Sequence, residues 1–89
     1  MMEQRITWDK ATEEKLFRIL EDIPDMIRGI AEARVCRKAE DIVRADRRQV
    51  INEKDMVDAF FAETPGGFMP VMKNSMKAAG IDYTRYGHG

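Results

Sequence analysis

Residues Arg48 to Phe60, Arg-Gln-Val-Ile-Asn-Glu-Lys-Asp-Met-Val-Asp-Ala-Phe, constrain this chain more than any other stretch. Gln49 to Ile51, with the β-branched pair Val50-Ile51, reads as a short extended strap that turns directly into a helix. Asn52 is a favourable N-cap, because its side-chain oxygen accepts from the free amides of the first helical turn. Asp55, three residues on, sits where a carboxylate meets the positive end of the helix dipole. Arg48, just ahead of the strap, is placed to reach back to Asp55. This punctuation specifies architecture and carries no catalytic or ligand motif.

The apolar spacing on either side predicts an all-α fold: a short helix, a long central helix, the strap, a short helix and a C-terminal fourth helix. The first helix is expected from about Trp8 to Leu20, with Thr7 as its cap. Trp8, Ala11, Leu16, Leu20 and Ile23 fall near one face, with Trp8 as a core anchor. Glu14 and Arg18 are spaced for an i,i+4 pair on the outside. Asp22 is expected to cap the second helix, with Pro24 in its first turn, where a missing N–H costs nothing. That helix runs to about Ala45, and Arg44, Arg47 and Arg48 collect at its negative end. Ile23, Ile27, Ile30, Ala31, Val35, Ala39 and Ile42 make one face, and Met26, Ala33, Cys36 and Val43 widen it. A helix apolar on more than one side packs on more than one side.

The third helix is expected over Glu53 to about Ala62. Thr64-Pro65-Gly66-Gly67 breaks the chain. The fourth helix begins at Phe68 or Pro70 and ends near Ala79, with Gly80 as its C′ residue. A helix this short needs docking to persist, so residues 68–86 are expected to pack on the three-helix core. The last stretch, Ile81 to Gly89, shows no regular pattern and reads as a tail.

At 89 residues, 44% hydrophobic and 35% charged, the chain is globular and forms one small domain. A core of this size supplies only a few kcal/mol, which favours self-association or docking on a partner. The expected partner is a second copy or a larger protein, met through Met26 and Cys36; Met69, Met72 and Met76 read equally as part of that docking surface and as core filler under the fourth helix. The net charge of −1 lacks the basic excess of a nucleic-acid coat protein. Residues 37–48 nevertheless hold five bases against three acids. Arg37, Lys38, Arg44, Arg47 and Arg48 are therefore the candidate phosphate contacts of an alternative, DNA-binding reading.

Cys36, a lone cysteine, excludes an intramolecular disulfide and reads as a small buried hydrophobe. His88 has no second ligand nearby. The carboxylate pairs Glu13-Glu14, Glu21-Asp22 and Glu40-Asp41 lie on polar faces, whereas a catalytic pair needs burial to shift a pKa. No enzyme activity, cofactor or metal is expected. No apolar run reaches the length of a membrane span and no leader pattern opens the chain, so a cytoplasmic location without membrane contact is expected.

The order of elements, with Arg48-x-x-Ile51-Asn52-x-x-Asp55-x-Val57-x-Ala59, resembles the histone fold over residues 8–62. The resemblance implies a strap arginine paired with the aspartate that starts the third helix, here Arg48 and Asp55. A second set, Trp8, Ala11, Leu16, Ile23-Pro24-x-x-Ile27-Arg28, Ala39-Glu40 and Ile51-Asn52, resembles the small helical C-terminal domain of the B subunit of light-independent protochlorophyllide reductase, a module also found free-standing. The first two helices here are each about one turn longer, and Asn52 stands where the module has a threonine. This resemblance implies a non-catalytic accessory module of a bacterial redox system. It brings no catalytic residue, because the reductase's own chemistry lies in domains that this chain lacks.

Overall fold

In the computed structural model, which describes residues 5–89, the strap pairs with a segment far ahead of it in sequence. Strand β1 (Thr7–Trp8) lies parallel to β2 (Val50–Ile51), with Trp8 opposite Ile51. The amides of Thr7 and Asp9 donate to the carbonyls of Gln49 and Ile51, both at 2.9 Å. Parallel strands need a long crossover, and helices α1 (Lys10–Leu20) and α2 (Asp25–Ala45) supply it. Helices α3 (Glu53–Glu63) and α4 (Met69–Ala78) follow the strap.

The ladder moves the start of α1. Trp8 is in β1 and half-buried against the core, and Thr7 is not the cap. Asp9 caps the helix instead, accepting from the Thr12 amide at 3.1 Å and the Thr12 hydroxyl at 2.8 Å. The strap's backbone partners keep the chain extended two residues longer, which moves the cap from Thr7 to Asp9.

The α1–α2 turn also departs from expectation. Pro24 is the N-cap of α2, and Asp22 is not. The residue before a proline is kept out of helical geometry, so Ile23 separates the two helices. Arg28 closes the turn: its guanidinium donates to the carbonyls of Leu20 and Ile23 at 2.8 Å each and pairs with Asp25 at 2.7 Å. It satisfies end carbonyls of α1 that no left-handed glycine closes. This explains why an arginine follows Ile23-Pro24-x-x-Ile27. Arg18 turns forward to Asp22, 3.4 Å away, and the Glu14–Arg18 pair does not form.

At its far end α2 stops in a Schellman turn, with Arg48 N–H donating to Val43 C=O at 2.9 Å and Arg47 N–H to Arg44 C=O at 3.1 Å. Arg47 sits at φ 57°, the left-handed region that costs a residue with a Cβ. Arg47→Gly is therefore expected to raise stability by roughly 0.5–1 kcal/mol, relief of strain outweighing the entropy of glycine in the unfolded chain. A higher denaturant midpoint at unchanged slope would show it. The matching turn after α4 has Gly80 at φ 79° as expected, with Ile81 N–H donating to Met76 C=O at 2.9 Å.

One core gathers Leu16, Ile19 and Leu20 of α1, Val35, Ala39 and Val43 of α2, Ile51, and Met56, Val57, Ala59 and Phe60 of α3. The most extensive helix contact is α2 on α3. Met72 and Met76, open in the sequence between partner surface and core filler, are 6% and 0% exposed: they belong to this core and are not partner contacts. Met69 and Cys36 are half-buried against it. The short α4 persists by laying its flexible thioethers on the chain's own apolar surface. Ile81 and Tyr83 are buried with them.

Residues 81–89 are correspondingly not a free tail. A 3-10 turn covers Tyr83–Tyr86, the Tyr86 hydroxyl donates to Glu53, and His88 meets Asp58 at 2.7 Å. The His88 ring stacks on Phe61 with centroids 4.0 Å apart.

Candidate functional site

The first half of α2 is left uncovered by its own chain. Pro65 and the 3-10 turn Gly66–Phe68 carry the backbone past the end of α3, and α4 then packs against α1. A groove of about 310 Å³ remains between α2 and α4. Its floor is Ile19, Val35 and Phe60; its walls are Ile23, Ile27, Ile30 and Ala31 on one side and Phe68, Val71 and Met72 on the other. Ile27, Ile30, Phe68 and Val71 are 39%, 58%, 53% and 52% exposed. Met26, a turn ahead of Ile30 on α2, is 92% exposed.

Three charged residues line this groove: Asp22, Arg34 and Glu63. Asp22 accepts from the buried Ser75 hydroxyl at 2.8 Å and pairs with Arg18. Arg34 and Glu63 have no ion-pair partner among the described residues. Ser75, the hydroxyl there with a carboxylate beside it, is only 5% exposed. What the groove offers is apolar surface with one cation and one anion left without a partner among the described residues.

The strap site is organised differently. Arg48 donates to both oxygens of Asp55, at 2.9 and 2.7 Å, and to Asp46 at 2.6 Å. The Asp55 side chain, 3% exposed, also accepts from the Asn52 amide at 2.9 Å, while the Asn52 side chain accepts from the Asp55 amide at 3.0 Å. That is a complete capping box. The hydrogen bonds to Asp55, then to Asp46, hold the guanidinium protonated even more firmly than usual. Arg48, Asp55 and Asn52 thus form one joint between α2, β2 and α3.

The five candidate phosphate contacts do not form one cluster. Arg48 is committed to the joint, and Arg44 pairs with Asp41 at 3.2 Å. Arg37 and Arg47 are exposed and Lys38 half-buried, all three without ion-pair partners among the described residues. Burial, then the charges of Glu32, Glu40 and Glu13, push the Cys36 thiol up to about 11. It stays protonated near neutrality, and a thiol is a poor nucleophile and metal ligand. No group of three metal-ligating side chains occurs among the described residues.

The family model described as "Protein of unknown function (DUF2621)" matches residues 1–89. The chain belongs to the DUF2621 family. Searches of curated proteins and of solved structures found no match.

Two features of this DUF2621 chain escaped the sequence. The groove needed the path of α4, which no periodicity gives; the only signal was the surplus of isoleucines at the start of α2. The carboxy-terminal latch needed the pairing of Glu53 with Lys15 and Tyr86, and of Asp58 with Lys54 and His88. Burial pushes both carboxyls up, but these hydrogen bonds and charges outweigh it and hold them below the usual carboxylate range. Their contribution to stability is present above that range and is lost as pH falls through the lowered values.

Proposed function

We propose that this DUF2621 protein is a small, non-catalytic helical interaction module that acts through the groove between α2 and α4. The observation that carries the reading is four large apolar side chains, Ile27, Ile30, Phe68 and Val71, each at least 39% exposed around one apolar cavity. A contiguous exposed apolar patch on a soluble domain marks an interaction site. The groove suits an amphipathic helical face, which docks through anchors spaced by three or four residues. A place beside a bacterial reductase rests on the resemblance carried by Trp8 and Ile23-Pro24-x-x-Ile27-Arg28. A cytoplasmic setting fits the lack of any helix, among the described residues, long and apolar enough to cross a membrane.

A photo-crosslinking residue at Val71, in the groove wall, tests this in producing cells against the same residue at Thr84, exposed and outside the groove. A discrete adduct from position 71 alone is expected. No adduct from either position, or equal adducts from both, would overturn the reading. The competing histone-like, DNA-binding role draws on the Arg48–Asp55 pair and on Arg37 and Arg47, which have no ion-pair partner among the described residues. It requires duplex DNA to be retarded with an affinity that falls steeply as salt rises.

A further inference from the structure

We infer that the occupant of the groove is a second copy of this chain, docked about a two-fold axis with Arg34 of each protomer opposite the partner's Glu63. The inference rests on the groove being an interaction site and names its partner. A two-fold interface uses one face twice, so that face must carry its own complement in shape and in charge.

This face does. The groove of about 310 Å³ is the hollow, and Met26, 92% exposed on the same helix one turn ahead of Ile30, is the knob beside it. Methionine fits irregular hollows because its unbranched thioether adapts. With Asp22 held by Arg18 and Ser75, the rim leaves one cation and one anion, Arg34 and Glu63, neither with an ion-pair partner among the described residues. A partner with a strongly acidic or basic face would be matched by a rim of one sign. A rim of both signs matches itself, and a two-fold axis turns the two charges into two bridges.

Ile19, Val35, Phe60, Met72 and Ser75 are buried beneath the groove; the twelve other lining residues, with Met26, make a face at the small end of specific interfaces, so the dimer is expected at micromolar concentration. A domain this small has a limited core of its own, so a covered α2 answers the wide apolar arc of that helix.

Light scattering from low to high micromolar concentration should give twice the 10.3 kDa chain mass. Arg34→Glu and Glu63→Arg should each weaken the dimer by about tenfold or more, since each sets like charges face to face. The double variant R34E/E63R should recover the affinity, because the bridges re-form with their signs exchanged. Ile30→Asp, at a position 58% exposed, should leave the circular dichroism unchanged and give monomers. A monomer at every concentration, or single reversals that bind like the parent, overturns the inference; so does a double variant no tighter than the singles. If the mass is monomeric while the Val71 crosslink still gives a discrete adduct with another protein, the second copy is wrong and the groove reading stands. If Val71 crosslinks nothing, both fall.

Discussion

Replacing Asp55 by alanine is expected to lower the melting temperature by roughly 10 °C, because a loss near 2 kcal/mol moves a domain of this size by about 4–8 °C per kcal/mol. Loss of an N-terminal cap interaction accounts for about 1 kcal/mol. The remainder comes from the buried carboxylate itself, whose side chain is 3% exposed and accepts from Arg48 twice and from the Asn52 amide. Its removal opens the Arg48 pair, worth up to about 1 kcal/mol because the guanidinium is 35% exposed and keeps Asp46. The Asn52 amide it also releases is the cap interaction already counted, at a residue open to water. Asp55→Asn should fall between the parent and the alanine variant, keeping an acceptor and losing the charge. Thermal melts of both variants, and of Arg48→Ala with and without Asp55→Ala, would isolate the pair. An unchanged melting temperature for Asp55→Ala would mean that the strap joint does not hold α2, β2 and α3 together.

That joint was legible because it is local. Asn52 and Asp55 stand three residues apart, and the capping geometry follows from that spacing alone. Gly80 was legible for the same reason: a left-handed residue must follow α4, and glycine takes that conformation freely. The long α2 was legible because no proline interrupts it before Ala45.

What stayed hidden depended on residues distant in sequence. Thr7 and Trp8 look like the start of a helix until Val50 and Ile51 offer them a strand. Met72 and Met76 carry the pattern of an apolar helix face, which says that something covers them and not what. The same ambiguity hid the groove in reverse: Ile27 and Ile30 share a face with Val35, yet only Val35 is covered. His88 and Tyr86 follow no period at all, and their role appears only once the chain returns to α3.

Ending the chain after Thr64 is expected to abolish cooperative unfolding altogether. The cut removes Met72, Met76, Ile81 and Tyr83, exposed by 6%, 0%, 3% and 7% in the intact protein. Truncating even one buried methionine to alanine costs about 2–5 kcal/mol, and a whole domain is held by about 5–15 kcal/mol. Four such side chains lost together, with Ile19 and Phe60 laid open beneath them, leave the three-helix remainder below the threshold for a fixed core. The Ser75–Asp22, Tyr86–Glu53 and His88–Asp58 hydrogen bonds go as well. The expected product keeps helical dichroism, binds a hydrophobic dye and melts without a cooperative step. A milder cut after Thr84 keeps all four buried side chains and removes only the half-buried latch of Tyr86 and His88. It should still melt cooperatively, a few degrees lower. The contrast between the two cuts places the stabilising contribution in α4 and the turn that follows it. A protein ending at Thr64 with an unaltered melting temperature would instead make residues 65–89 an appendage, and the groove wall at Phe68 and Val71 a feature without a role in folding.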